Sequence, residues 1–393
     1  MSRVRNPARS VLTTTGAGMV VLVLLAAPGS ATNATRAAAT PSPDRTTSRP
    51  VAARVPPSPA GTSPVATTPA TTPVSANGAD AAPPAPITLA FGGDVHFEAH
   101  LAPLLTNGKL AALRPYLATA DLAMVNLETA ITSRGQEQPK EFHFRTTPQS
   151  LRALDAAGVD VVTMANNHAV DYGPVGLSDS LAARRASPIK VVGIGQDAAD
   201  AYGATVVPVK GRRVAVLAAS DLLDWTLQHF EATAHGPGIA GTRPSAEPLL
   251  AAVRAARQQA DVVVVYLHWG TERMSCPEDA QRSLAQRLAD AGADVVIGSH
   301  PHVTQGAGYL GQTYVAYSMG NFVWYAPGSQ ATASSGVLTL TVQGRRVTAS
   351  RWTPLRISGT DGVPRAPSTA TAARMLADWQ GSRSCTGLTA TPR

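Results

Sequence analysis

Seven apolar runs of strand length, each closed by glycine or by polar residues, constrain this chain most. They are ITLAFGGD (87–94), ADLAMVNLE (120–128), VDVVTMANNH (159–168), IKVVGIG (189–195), RRVAVLAASD (212–221), DVVVVYLHWG (261–270) and ADVVIGSH (293–300). The runs are continuous rather than alternating, which suits strands covered on both faces. Helical patterns separate several of them, at 147–158, 174–186, 244–260 and 276–292. The last places Pro277 in the first turn, acids after it and Gly292 as its stop. Strands alternating with helices mean an α/β fold. Hairpin signals around Lys210-Gly211 and Gln343-Gly344 add antiparallel strands. The expected architecture is a mixed β-sandwich flanked by helices, in one domain spanning 86–358.

The flanks read differently. No Phe, Trp or Tyr precedes Phe91, and residues 33–86 hold 12 of the 31 prolines. Such a stretch cannot bury a core, so 33–85 is expected to be an extended linker. Before it, Arg3, Arg5 and Arg9 precede an apolar run at 17–28 and then small residues. Residues 1–32 therefore read as a signal peptide or an N-terminal anchor, and either one predicts an extracytoplasmic protein, secreted or held at the cell surface. Residues 359–393 are Ser/Thr/Pro-rich and read as a loose C-terminal tail. The two cysteines, Cys276 and Cys385, are equally compatible with one disulfide or two thiols. Of the net charge of +7, +5 lies in residues 1–85. With no basic stripe and no interleaved aromatics, nucleic acid is not an expected partner.

Five of the nine histidines sit just past a buried strand. The first run leads to Asp94-Val95-His96, the second to Asn126-Leu127-Glu128 and the third to Asn166-Asn167-His168 with Asp171 beyond. The long run around 265 leads to His268-Trp269-Gly270-Thr271-Glu272, and the last to His300-Pro301-His302. Any one of these has a bland reading as a turn or a polar exit from the core. All of them at the edge of one α/β sheet mark a site. Imidazoles, carboxylates and an amide oxygen with no thiolate suit Zn, Mn, Fe or Mg. Asp94, His96, Glu128, Asn167, His268, His300 and His302 are more ligands than one tetrahedral ion takes. Two ions sharing a carboxylate would clamp a phosphate ester. His168, beside Asn167, would protonate the leaving oxygen.

The order Asp-x-His, acid, Asn-His, His, His-x-His resembles the calcineurin-like metallophosphatases. FGGDV (91–95), NLE (126–128), ANNHAVDYG (165–173), HWGTE (268–272), GADVVIGSHPHVTQG (292–306) and YSMGNFVW (317–324) look like the CapA family within them. The resemblance covers about 86–325 and implies a metallophosphatase-like fold and a role in poly-γ-glutamate capsule synthesis. It implies a first metal on Asp94, His96 and His302, a second on Asn167, His268 and His300, a bridging Glu128 and a catalytic His168. Asn166, Asp171, Glu272 and Asn321 belong to the branch's own motifs and are expected to orient ligands or to touch polymer. Glu128 departs from the phosphatase pattern, which has Gly-Asp there, and Asn166 stands where that pattern has Gly. The expected partners are an anionic polymer or phosphate-ester substrate and a membrane-bound polymer synthase. The chain is also compatible with an extracytoplasmic phosphoesterase acting on a small or lipid-linked phosphate, and with a non-catalytic wall-associated accessory protein.

Overall fold

The computed structural model describes residues 85–325 and 328–393. The expected signal or anchor segment and the linker lie outside the described residues. No helix among the described residues is long and apolar enough to cross a membrane.

One sheet is built from β1 (Ile87–Val95), β2 (Leu122–Leu127), β3 (Val161–Thr163) and β4 (Lys190–Val192). The second takes β5 (Thr205–Val209), β6 (Arg212–Ser220), β7 (Val262–His268), β8 (Val295–Ser299), β9 (Thr304–Leu310) and β10 (Thr313–Met319). The chain then returns to the first sheet with β11 (Asn321–Val323), β12 (Ser334–Gln343), β13 (Arg346–Ile357) and β14 (Pro364–Arg365). The first sheet runs β14-β13-β12-β1-β2-β3-β4, with β11 also against β1, and the second runs β9-β10-β8-β7-β6-β5. In the first sheet, β1, β2 and β3 are parallel. So are β6, β7, β8 and β10 in the second. Both expected hairpins form, as β5–β6 and β12–β13.

The continuity of the apolar runs has a direct cause. Leu89, Phe91, Met124 and Val161 from one sheet pack against Val214, Val264, Tyr266 and Ile297 from the other. The outer face of the first sheet is covered by α1 (Gln149–Ala156) and α2 (Gly173–Arg185), through Leu151, Leu154, Leu177 and Leu181. After α3 (Trp225–Phe230), α4 (Glu247–Gln259) and α5 (Asp279–Ala291) cover the second through Leu249, Val253, Leu284 and Leu288. The result is a helix–sheet–sheet–helix sandwich, the α/β class expected. Pro277 falls outside α5 rather than in its first turn. Glu278 is the N-cap, in a capping box with Gln281, and Gly292 ends the helix at φ 108°.

The C-terminal segment corrects the expectation of a loose tail. Thr369–Gly381 forms α6, capped by the Ser368 hydroxyl. Trp379 stacks on Trp352 with ring centroids 4.1 Å apart and planes 6° from parallel. Arg383 Nε donates to the Ala307 carbonyl at 2.7 Å, and Thr389 exchanges two backbone hydrogen bonds with Tyr309. Cys385 is disulfide-bonded to Cys276. The polar composition hid this because only Met375 and Trp379 of the helix are buried.

Candidate metal centre

The carboxyl ends of the parallel strands of both sheets meet, and every sequence-selected side chain except Glu272 reaches this edge from a strand end or the turn after it. Register builds the inner part. Asp94 in β1 stands opposite Asn126 in β2 and Asn321 in β11. Gly93 allows the strands to come together, since a Cβ there would lie 1.7 Å from the Gly320 carbonyl oxygen. Asn126 Nδ2 donates to Asp94 Oδ1 at 2.8 Å and lies 3.1 Å from His268 Nδ1, and Asn126 Oδ1 accepts from Asn166 at 3.0 Å. Asn126 thus joins three elements of the site.

Among the described residues, three groups offer ligand atoms that all lie within 4.8 Å of one another: Asp94, Glu128 and His302; Glu128, His268 and His300; and Glu272, His300 and His302. Glu128 belongs to the first two. It is fully buried, and neither of its carboxylate oxygens has a hydrogen-bond partner. His268 Nε2 is 3.6 Å away and His168 Nε2 is 3.9 Å away, both outside hydrogen-bonding distance. Burial, then the Asp94 charge, raise its pKa well above the ordinary carboxylate value. A buried carboxyl left unpaired costs about 1–3 kcal/mol or more. A divalent cation would remove that cost, so the donor set fits a metal. His300 Nδ1 is likewise buried without a partner.

His300 and His302 both lie in the left-handed region, at φ 98° and 56°. A non-glycine residue there carries strain of about 1–3 kcal/mol, which gathers at functional sites. The turn is over-determined from outside: the His300 N–H donates to Asp94 Oδ2 at 3.2 Å, and His302 Nδ1 lies 2.9 Å from Asn321 Oδ1. Burial lowers the pKa of His300 to about 3 and that of His268 well below its ordinary value, so both are neutral and able to ligate. Asn167 Oδ1 lies 2.9 Å from His268 Nε2.

His168 faces the same space from a different support. Its Nδ1 donates to Asp171 Oδ2 at 2.6 Å, which leaves Nε2 toward Glu128. Asp171 also accepts from Lys140 Nζ at 2.7 Å and from the Phe144 N–H at 2.6 Å. Lys140 donates in addition to the Asn167 carbonyl, as does Thr226. The Phe144 ring stacks on His168 at 4.1 Å. Burial lowers the His168 pKa to about 4 against the opposing pull of Asp171.

His96 stands outside all three groups. β1 ends at Val95, its register against β11 shifts after Asp94, and His96 leaves the strand. Its ring stacks on Phe144 at 4.4 Å and meets Trp324 and Tyr325 edge-on. Its Nδ1 accepts from the Glu98 N–H at 3.1 Å. Asn166 is a brace, bonded to Asn126, to the Leu127 carbonyl and to the His168 N–H. Sequence reasoning missed Asn126, Lys140 and Phe144. Asn126 had a signal, as the first residue of NLE at the end of a strand. Lys140 and Phe144 lie in a loop with none.

Fold and site together define an α/β sandwich with a histidine–carboxylate centre of metal-binding character at its strand ends. The sequence profile described as bacterial capsule synthesis protein PGA_cap matches residues 88–326, and the chain belongs to that family. It is 34% identical to the PGA biosynthesis protein CapA of Bacillus subtilis over 54% of this chain and 55% of that one. It is 31% identical to the capsule biosynthesis protein CapA of Bacillus anthracis, over 61% and 60%. A probable polyglutamine synthesis accessory protein of Mycobacterium tuberculosis is 32% identical over 50% and 53%. The chain thus spans between half and three fifths of the length of these relatives. Among solved structures, a phosphatase from Mycoplasma pneumoniae aligns over 75% of this chain and 97% of that one, at 15% identity and a TM-score of 0.46. A hypothetical protein from Thermus thermophilus aligns over 69% and 99%, at 19% identity and a TM-score of 0.45.

Proposed function

We propose that this chain is an exported participant in poly-γ-glutamate capsule synthesis whose centre is a two-metal hydrolase site. The names of its relatives support the pathway, and the arginines and apolar run of residues 1–32 support export. One observation carries the hydrolase reading: the buried Glu128 carboxylate, without a hydrogen-bond partner, is common to two ligand groups. Asp94 and His302 would hold one ion with it, and His268, His300 and the Asn167 amide oxygen the other. Such ions supply Lewis acidity and an activated water. The chain's own residues do the rest. Asn126 fixes Asp94 and His268, and Asn321 fixes His302. Asp171 holds His168 in the tautomer that leaves Nε2 free. The bare site keeps His168 neutral; an anionic substrate beside Nε2 favours its protonated form, and from there it delivers a proton to a leaving oxygen. Phe144 and Trp324 exclude water from that side.

The test is hydrolysis by the purified full chain, with Mn or Zn added, of a model phosphodiester and of poly-γ-glutamate. The reading expects turnover that chelator removes and that His168→Ala lowers roughly 10²-fold or more. Metal uptake with no turnover of either substrate class would remove the hydrolase and leave an accessory protein.

A further inference from the structure

We propose that Glu272 is a metal ligand, brought to the centre by a loop that the Cys276–Cys385 disulfide latches in place. The proposal rests on the metal-binding reading of the centre. Glu272, His300 and His302 offer ligand atoms within 4.8 Å of one another. His300 is only 7% exposed and has a ring nitrogen with no partner, so this group holds an unsatisfied buried donor or acceptor as well as an acid. The charges point the same way. Asp94, Glu128 and Glu272 converge there, while the nearby cation Lys140 is bound to Asp171. Three carboxylates facing neutral imidazoles call for cationic charge.

The loop explains why a covalent latch is useful. Every residue of 271–276 is exposed, so packing does little to fix Glu272. Gly270 and Arg273 bend the chain at φ 82° and 63°. The Arg273 N–H donates to the Pro301 carbonyl at 2.7 Å, tying the loop to the turn between the two histidines. Gln305 donates to the Met274 and Cys276 carbonyls at 2.8 and 3.2 Å. Cys276 is then bonded to Cys385, 109 residues away. Cys385 follows α6 in a turn whose Arg383 is bound to β9, and its carbonyl accepts from Arg282 of α5 at 3.0 Å. The C-terminal segment is thus wired through one bond to the loop that carries Glu272. On its outer side Glu272 lines, with His302 and Trp324, a cavity of about 230 Å³. It closes the centre on the side open to solvent.

The test is metal stoichiometry by mass spectrometry and affinity by chelator competition, with Mn and Zn on the full chain. Variants are E272Q, C276S/C385S, their combination and H302A. E272Q should lose one ion or bind roughly tenfold or more weakly. C276S/C385S should weaken binding in the same direction. The triple variant should bind no more weakly than E272Q, because both changes act through one ligand. Circular dichroism confirms folding, and E272Q, a change at an exposed side chain, decides the ligand even if the cysteine pair is needed for stability. If H302A loses metal while E272Q binds as the parent does, the proposal is overturned and the centre stands. If E272Q weakens binding but the folded cysteine variant does not, the latch is overturned. If the parent takes up neither metal, the centre reading fails and takes the proposal with it.

Discussion

Replacing Glu128 by Gln should have opposite effects on the metal-free and metal-loaded protein. In the metal-free protein, a carboxyl of zero exposure with two unpartnered oxygens sits beside Asp94. Its folded pKa is raised, so the sign follows from linkage. Below the unfolded value of about 4.3, both states are protonated and the substitution changes little. As pH rises toward the folded pKa, the unfolded chain releases a proton that the folded one keeps, and wild-type stability falls by about 1.4 kcal/mol per unit of pKa separation. Gln removes this penalty. The Gln amide is as unpartnered as the protonated acid, so only the ionisation penalty is relieved, and at pH 8 the metal-free variant should be the more stable by roughly 1–3 kcal/mol. At about 2–4 °C per kcal/mol, its melting temperature should be higher by roughly 2–12 °C. With metal at a thousandfold excess over Kd, the wild type gains about 4 kcal/mol, whereas the variant has lost the shared ligand and gains less. The order of the two melting curves should therefore invert. Differential scanning fluorimetry of chelator-stripped protein at pH 5 and pH 8, with and without Mn or Zn, measures this. A metal-free variant no more stable than wild type at pH 8, or an equal response of both to metal, would refute the reasoning.

Asp171→Asn should replace the carboxylate that fixes His168 Nδ1 with an uncharged amide, one of whose two ends cannot accept, and lower hydrolytic kcat by roughly 10²-fold with little change in metal content, read by steady-state kinetics beside mass spectrometry. Lys140→Met strips the cation from a fully buried Asp171, and chemical denaturation should show a loss of about 3 kcal/mol. Trp379→Ala should cost about 3–5 kcal/mol and raise amide exchange throughout α6, because its ring stacks on Trp352; unchanged exchange would mean that the segment does not depend on that contact.

The sheet-forming runs were legible because hydrophobicity is a local property. Residues 262–268 read VVVVYLH and can hardly be anything but a buried strand. β9, TQGAGYL, has no such signature and exists through its pairing with β10. The site was legible for the same reason at its ligands, which follow the strands directly. It was illegible where the role depends on register. Asn126 acquires its partners because β2 aligns it with Asp94, and no spacing within NLE encodes that alignment. Asp-x-His placed His96 on the same face as Asp94 only if the strand continued, and it does not. Lys140 and Cys385 reach their partners across distances that local sequence does not record.

The place of β1 has a consequence for how the chain acquires its shape. β1 is the first strand among the described residues, yet one of its two long neighbours is β12, which pairs Ile87 with Val342 and Phe91 with Leu338. The middle of the first sheet therefore stays open until nearly all of the domain exists. Closing so long a loop is a slow step, and strands waiting with bare edges are prone to pair with other chains. Half-made copies of this protein would be the ones most in need of a chaperone.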